Sequence, residues 1–220
     1  MVTSKSLFKS VERVFRWSSE NELEMHVQLS RLCVLYEDLK IEFAGAEAET
    51  LGSLDRTDAT TRRFYFVRRI LATLTEIEQA IAKLNGNKDF QTAKNGFKPE
   101  NLKSWDDAVG FFAKEHAFLK NWRNDLGGHF HDSAAKYAIE NIHPDTLGVI
   151  EIYRRGNDVD AKLKFAYELV AVAMTKNKQA TQPEKEFLEQ TFTFLKEAAT
   201  HALNAGQVVI AEYIVPRFRA

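Results

Sequence analysis

Two long series of apolar residues with helical spacing limit the fold of this chain more than any other feature. Their members recur three or four residues apart, which is the period of one helix face. The first series comprises Met25, Leu29, Leu32, Tyr36, Leu39 and Phe43, and the second comprises Phe64, Val67, Leu71, Leu74, Ile77, Ile81 and Leu84. A face of this kind needs an apolar partner, and the simplest partner of each is the other. The sequence therefore predicts two adjacent antiparallel helices that bury Leu32, Leu71 and Leu74.

Local signals give the predicted ends of these two helices. A capping box, Ser19-x-x-Glu22, precedes the first helix, and the second is predicted over about residues 60–84. Small and acidic residues gather at 44–53, and residues 86–103 are polar without a period. We predict a loop in each of these two segments.

The central part of the chain predicts a third helix with an interruption. A second capping signature begins at Ser104, and a broad apolar face follows it. Gly127 and Gly128 are adjacent, and two glycines in a helix cost about 2 kcal/mol relative to alanines. We therefore expect the helix to break at this pair and helical structure to resume over 134–141.

The pattern then changes to a period of two for one hairpin, and afterwards returns to helix. Residues 147–154 and 160–165 are predicted to pair as two strands, and helices are predicted over 166–176 and 181–204. The apolar tail at 207–214 suits helix or strand, and helix is favoured. The predicted fold is one mainly α domain, a helical bundle with one inserted β-hairpin. Its parts are an N-terminal helix or arm at 1–20, a bundle at 21–143, the hairpin at 147–166, and C-terminal helices at 167–220.

Composition excludes several classes of protein. The 220 residues carry a net charge of −1 and one cysteine, Cys33, so no global field favours nucleic acid and no disulfide or thiolate cage can form within the chain. No apolar run is long enough to span a bilayer. The one Glu-x-x-His pair and the lack of a glycine-rich phosphate loop predict no metal site and no cofactor. We expect a cytoplasmic protein that does not bind a membrane, although the amphipathic N terminus suits either a membrane-surface helix or a short packing helix.

Polar groups of several types crowd around the predicted helix break. Residues 122–132 read Trp-Arg-Asn-Asp-Leu-Gly-Gly-His-Phe-His-Asp. Arg123 and His129 lie six residues apart, about 9 Å along an unbroken helix axis, and the glycines allow the chain to bend. Arginine binds phosphate bidentately, and histidine exchanges a proton near neutral pH. The pair therefore has the chemical groups required to cleave RNA without a metal.

This segment resembles the Arg-x(4–6)-His motif of the HEPN superfamily, with Asn124 as the polar residue that usually follows the arginine. The resemblance implies a helical bundle, a homodimer that brings two motifs into one cleft, and metal-independent endoribonuclease activity. It assigns phosphate contact to Arg123, orientation of the phosphate to Asn124, and general acid–base catalysis to His129. HEPN proteins occur in toxin–antitoxin, abortive-infection and CRISPR systems. Single-stranded RNA or a nucleotide, a second copy and an antitoxin protein are therefore the implied partners.

Other residues are candidates from their own chemistry. Asp125, His131 and Asp132 are possible accessory groups beside the motif, and His116 lies seven residues before Arg123 on nearly the same helix face. His116 can also be a boundary histidine that packs beside core residues.

The densest basic cluster lies on the second predicted helix. It comprises Arg62, Arg63, Arg68 and Arg69, with Tyr65 nearby. This cluster suits an RNA backbone, and it equally suits the solvated face of an amphipathic helix.

Three functions therefore remain open. The first is a HEPN-type metal-independent endoribonuclease with a composite site of Arg123 and His129. The second is a catalytically inactive HEPN-like module that binds RNA, a nucleotide or a protein partner. The third is a helical scaffold or regulator outside the family.

Overall fold

The chain folds mainly into α-helices. The structure, a computed structural model, describes residues 22–51, 56–126, 130–143, 150–155, 158–163, 165–177 and 182–217. The helices are α1 (Leu23–Leu51), α2 (Arg56–Gly86), α3 (Lys88–Lys94), α4 (Pro99–Leu126), α5 (Asp132–Asn141), α6 (Phe165–Met174), α7 (Glu184–Val209) and α8 (Val215–Arg217). The predicted N-terminal helix at 1–20 and the glycines of the predicted break lie outside the described residues.

The two predicted long helices pack against each other as antiparallel neighbours. Arg31 near the start of α1 contacts Glu76 late in α2, whereas Glu42 late in α1 contacts Arg69 early in α2. Leu32, Leu71 and Leu74 are fully buried, which confirms the prediction.

The predicted loop at 44–53 is wrong because α1 continues to Leu51. Alanine and glutamate, which fill this segment, are among the strongest helix formers. Gly45 does not mark a turn. Packing requires a glycine at this position, since a Cβ atom added there would overlap the ring of Phe66 on α2. The glycine therefore allows the two helices to approach closely.

The predicted loop at 86–103 is also wrong, because it contains α3 and the first turn of α4. The Asn87 side chain accepts a hydrogen bond from the backbone N–H of Phe90 at 3.0 Å and so caps α3. Helix α4 begins at Pro99, and proline is favoured at the first helical position because it lacks the N–H that would remain unbonded there. Ser104 bonds the Glu100 carbonyl at 3.0 Å within the helix and is not a cap.

The predicted hairpin is confirmed. Strands β1 (Ile150–Arg155) and β2 (Asp158–Leu163) pair in antiparallel register, with Ile150 opposite Leu163 and Arg155 opposite Asp158. The two strands begin and end within two or three residues of the predicted bounds.

The apolar tail at 207–214 is helical, as favoured. Helix α7 passes into a π-helical turn at Ile210–Ile214 and then into α8. Small residues let α7 pack closely, and the ring of Tyr36 on α1 occupies the space that a side chain at Gly206 would need.

The core lies between α1, α2, α4 and α7. Helix α4 supplies large buried side chains to it, namely Trp105, Phe112, Leu119, Trp122 and Leu126. These positions are three, four or seven residues apart, which leaves the opposite face of α4 to solvent. Within the described ranges, no helix is long and apolar enough to cross a bilayer.

Candidate functional site

Arg123 lies in the last turn of α4, on the edge of the helix next to α2. Its neighbours Trp122 and Leu126 point into the core, so the 3.6-residue period turns Arg123 and Asn124 outward. Both side chains are exposed. The Nη2 atom of Arg123 donates a hydrogen bond to Oε1 of Glu76 at 3.3 Å, and this bond directs the guanidinium across the surface of α2.

Glu76 binds a second arginine that sequence reasoning did not find. Arg31 reaches Oε2 of Glu76 from α1, and its Nη2 atom also donates to Oε1 of Gln79 at 3.3 Å. Guanidinium groups from α1 and α4 thus converge on one carboxylate of α2. No local sequence pattern predicts that Arg31 and Arg123 share Glu76, because the three residues come from three separate helices.

One face of α2 carries the rest of the basic surface. Arg62, Tyr65, Arg69, Glu76 and Lys83 recur at multiples of the helical repeat and line this face, which we call the α2 surface. Tyr65 has 54% of its surface exposed, and Arg62, Arg69 and Lys83 are exposed as well.

Arg69 is fixed on the α2 surface by a buried acid. Its Nε atom donates to Oε1 of Glu42 at 3.2 Å, and the hydroxyl of Thr73 donates to the same oxygen at 3.0 Å. Burial raises the pKa of the Glu42 carboxyl, although Thr73 and Arg69 oppose the shift. Arg69 therefore partly neutralises a group that is costly to bury.

The other two arginines of the predicted basic cluster point elsewhere. Arg68 donates from Nε to the backbone carbonyl of Leu126 at 2.8 Å, at the last residue of α4. The last four carbonyls of a helix lack partners within it, so this bond satisfies one of them. Arg63 is half-buried, and its Nε atom has no hydrogen-bond partner among the described residues. The structure thus divides the cluster, with Arg62 and Arg69 on the α2 surface and Arg68 at the end of α4.

A second contact joins the two sides of the segment that follows α4. Lys176 donates from Nζ to Oδ1 of Asp125 at 2.7 Å and to Oγ of Ser133 at 3.4 Å. Asp125 lies in the last turn of α4, Ser133 lies in the first turn of α5, and Lys176 lies in the short 3-10 turn after α6. Asp125 is mostly buried, so its role in these bonds is to join three elements. His129 lies in the segment between them, outside the described residues.

The remaining candidates lie on either side of this segment. His131 and Asp132 are exposed at the start of α5, where the His131 carbonyl accepts hydrogen bonds from Ala134 and Ala135 and its ring makes no capping bond. His116 lies two turns before Arg123 on α4, and its Nδ1 atom is 3.0 Å from Oε1 of the buried Glu78.

A buried polar cluster away from the motif also escaped sequence reasoning. Nε2 of His26 on α1 lies 2.8 Å from the hydroxyl of Tyr213, which donates to Oε2 of Glu22 at 3.3 Å. Tyr213 lies in the π-helical turn, and π turns in helices are frequent at functional sites. The next residue back, Glu212, accepts hydrogen bonds from the Asn101 side chain and, at 3.4 Å, from the Lys98 backbone.

The lone cysteine is a half-buried residue of the core margin. Burial raises the pKa of the Cys33 thiol, and the nearby Glu37 carboxylate acts in the same direction. A thiol with a raised pKa is a poor nucleophile at neutral pH, so Cys33 is not a candidate for catalysis.

Comparison with known proteins and a search for metal-ligating residues do not identify a function for this site. Comparisons with protein-family models, curated proteins and solved structures found no match to this chain. Within the part of the chain that the structure describes, no three His, Cys, Asp or Glu side chains gather as metal ligands would. The resemblance to the HEPN superfamily therefore stays a prediction, which rests on the residues of the motif.

Proposed function

We propose that this protein is a HEPN-type, metal-independent endoribonuclease that acts as a homodimer. The observation that carries the proposal is the exposed Arg123 guanidinium at the end of α4, which reaches Glu76 on the α2 surface. Arginine forms bidentate bonds with phosphate, and a basic surface with an exposed aromatic ring suits single-stranded RNA. The mainly helical bundle around Arg123 agrees with the frame that the motif implies.

The proposed reaction requires one proton acceptor, one proton donor and a cation beside the phosphate. A base removes the proton of the ribose 2′-hydroxyl, whose oxygen bonds to phosphorus while the bond from phosphorus to the 5′-oxygen breaks. A proton goes to the departing 5′-oxygen, and the other product ends in a 2′,3′-cyclic phosphate. Arg123 neutralises the charge that grows on the phosphate oxygens, Asn124 orients the phosphate, and His129 transfers the protons.

Side-chain contacts hold the described ends of the chain on both sides of His129. Arg68 bonds the Leu126 carbonyl, and Lys176 joins Asp125 to Ser133. These three bonds hold the end of α4 and the start of α5 in place, and we propose that they thereby help to position His129. Groups whose supporting bonds fix their position are favourable for catalysis.

The proposed homodimer has a candidate surface on α1. Leu23, Val27, Val34 and Ile41 lie on one side of this helix, with exposed fractions between 48% and 65%. Val27, Val34 and Ile41 are seven residues apart, the repeat by which paired helices associate. Arg31 lies on the same helix and contacts Glu76, the partner of Arg123. A second copy bound to this side of α1 would therefore lie close to Arg31 and Glu76.

Light scattering tests the dimer. The parent protein should be a dimer at tens of micromolar, and Val34→Lys should convert it to a monomer because a charge replaces an apolar contact. A second charge-introducing variant, Ala113→Lys on the exposed side of α4, is the matched control and should remain dimeric. A monomeric parent protein would remove the composite-site proposal.

RNA cleavage tests the chemistry. Arg123→Ala and His129→Ala should each lower the cleavage rate by about a hundredfold or more, the size typical of losing a positioned acid, base or charge donor. EDTA should have no effect, the product should end in a cyclic phosphate, and a deoxyribose substrate should not react. His143→Ala is the matched control, because it removes an exposed imidazole that lies outside the motif. If His129→Ala cuts as fast as the parent, His129 is not the proton-transfer group. His131→Ala and His116→Ala are then the next variants to test.

A second candidate is a catalytically inactive module that binds RNA, a nucleotide or a protein partner such as an antitoxin. The observation that favours it is the ion pair between Arg123 and Glu76, because a paired guanidinium is less available to a reacting phosphate. The net charge of −1 agrees with it as well. RNA that binds through Arg123 without being cut would support this candidate over the ribonuclease.

A further inference from the structure

Two arginines from different helices share one carboxylate on the α2 surface. Glu76 receives Arg123 on Oε1 and Arg31 on Oε2, so each carboxylate oxygen accepts one guanidinium. The side chains of Arg31, Glu76 and Arg123 are 28%, 34% and 44% exposed, which leaves all three within reach of solvent. The arrangement thus has the form of an anion between two guanidinium groups.

We propose that Arg31 and Arg123 form a phosphate-binding pair that Glu76 occupies until single-stranded RNA displaces it. This inference rests on the proposed function for its ligand, an RNA phosphodiester, and adds Arg31 and Glu76 to the residues that bind it. A carboxylate and a phosphodiester present similar pairs of oxygens to a guanidinium. Glu76 therefore acts as a built-in competitor, and the chain tunes its own affinity for RNA.

The exposure of the pair makes such an exchange feasible. All three side chains are partly exposed and water screens such ion pairs, so the bonds to Glu76 can be replaced at a smaller cost than those of a fully buried pair. Each guanidinium has five N–H donors, and the bonds to Glu76 and Gln79 involve only the Nη2 atom of each arginine. A phosphodiester can therefore approach the other donors before Glu76 moves away.

The surroundings favour an extended polymer over a small ion. Tyr65 and Arg62 lie on the same face of α2 as Glu76, eleven and fourteen residues earlier. At 1.5 Å per residue, the distances along the helix are about 16 Å and about 21 Å. A single strand that crosses this face can place one phosphate between Arg31 and Arg123 and stack a base on the exposed Tyr65 ring.

The experiment measures binding of a fluorescent 2′-O-methylated oligouridine, which cannot be cleaved, by anisotropy. Glu76→Gln should bind about fivefold more tightly, because the competing charge is removed. Arg31→Ala should bind about tenfold more weakly, since it loses a charged hydrogen bond, and its plot of log affinity against log salt should be shallower by about 0.7. Arg31→Lys, which keeps the charge on a compact group, should fall between the parent and Arg31→Ala.

Glu37→Gln on α1 is the matched control for charge. Glu37 pairs with Lys40 one turn away at 3.0 Å, is exposed, and contacts neither Arg31 nor Arg123. The Glu37→Gln variant should bind the oligonucleotide with the same affinity as the parent. An equal gain in Glu37→Gln and Glu76→Gln would show a general effect of net charge and overturn the proposal.

Opposite changes in RNA affinity for Glu76→Gln and Arg31→Ala distinguish a binding role of these residues from a structural one. Both Glu76→Gln and Arg31→Ala break the same contact between helices, so a purely structural role predicts that both variants bind equally well or both more weakly. That result would overturn the proposal, as would ATP competing as well as the oligonucleotide does, because a nucleotide would then be the ligand. The proposal stands if the predicted order of affinities holds, even where the parent protein cuts no RNA. If RNA is cut but Arg31→Ala binds as the parent does, the proposal fails and the ribonuclease remains.

Discussion

The bond from Arg68 to the end of α4 gives the most informative stability prediction. The Nε atom of Arg68 lies 2.8 Å from the Leu126 carbonyl, and the side chain is half-buried. A hydrogen bond from a charged donor contributes about 1.5–3 kcal/mol, and partial exposure reduces this to about 1–2 kcal/mol here. Arg68→Ala should lower the free energy of unfolding by that amount. For a chain of this size the melting temperature should fall by about 2–8 °C.

The assay combines thermal denaturation with RNA cleavage. For thermal denaturation, Lys83→Ala is the matched control, because Lys83 is an exposed cation on the same helix and has no ion pair with the other described residues. If the bond also positions His129, Arg68→Ala should lower kcat more than it raises KM. An unchanged melting temperature, or an equal fall in Lys83→Ala, would refute the assignment of Arg68 to the end of α4. A fall in stability with an unchanged kcat would confine its role to the fold.

Three further variants test separate parts of the structure. Because burial raises the pKa of Glu42, its carboxyl stabilises the fold most below its unfolded pKa of 4.5 and loses that contribution as pH rises through the folded value. In urea titrations, Glu42→Gln should therefore gain stability relative to the parent as the pH rises above 4.5, and a constant difference would contradict the raised pKa. Tyr213→Phe should cost about 1–2 kcal/mol by thermal denaturation, because the hydroxyl that meets His26 at 2.8 Å is lost, and a neutral result would show that water replaces it. Leu74→Ala should cost about 2–5 kcal/mol in urea denaturation, and a loss below about 1 kcal/mol would mean that the helices around it close the cavity.

Period alone predicted the elements that bury a continuous apolar face. The antiparallel pair of α1 and α2 follows from two long stripes, and the hairpin follows from a change of period. The two loop predictions were wrong for different physical reasons. Residues 44–51 are rich in alanine and glutamate, which favour helix, and Gly45 permits close packing; Asn87 follows the last residue of α2 and caps α3.

The candidate site could be predicted only in part, because its contacts join helices that are distant in sequence. The motif drew attention to Arg123, and the charge cluster drew attention to α2. Arg31 lies 45 residues before Glu76, and nothing local marks either residue as the partner of the other. Likewise, adjacent arginines on one helix point in different directions, so Arg68 and Arg69 bind different elements.

The π-helical turn near the C terminus amounts to one residue more than a regular helix would use between the same two points. Because each residue turns a helix by about 100°, this extra residue resets the phase of everything after it. It lets consecutive side chains, Glu212 and Tyr213, bind the start of α4 and His26 of α1. A chain shortened by one residue here would gain a more regular backbone and lose both connections. The position is therefore one where the length of the chain, more than the identity of any side chain, fixes how the last helix closes the bundle.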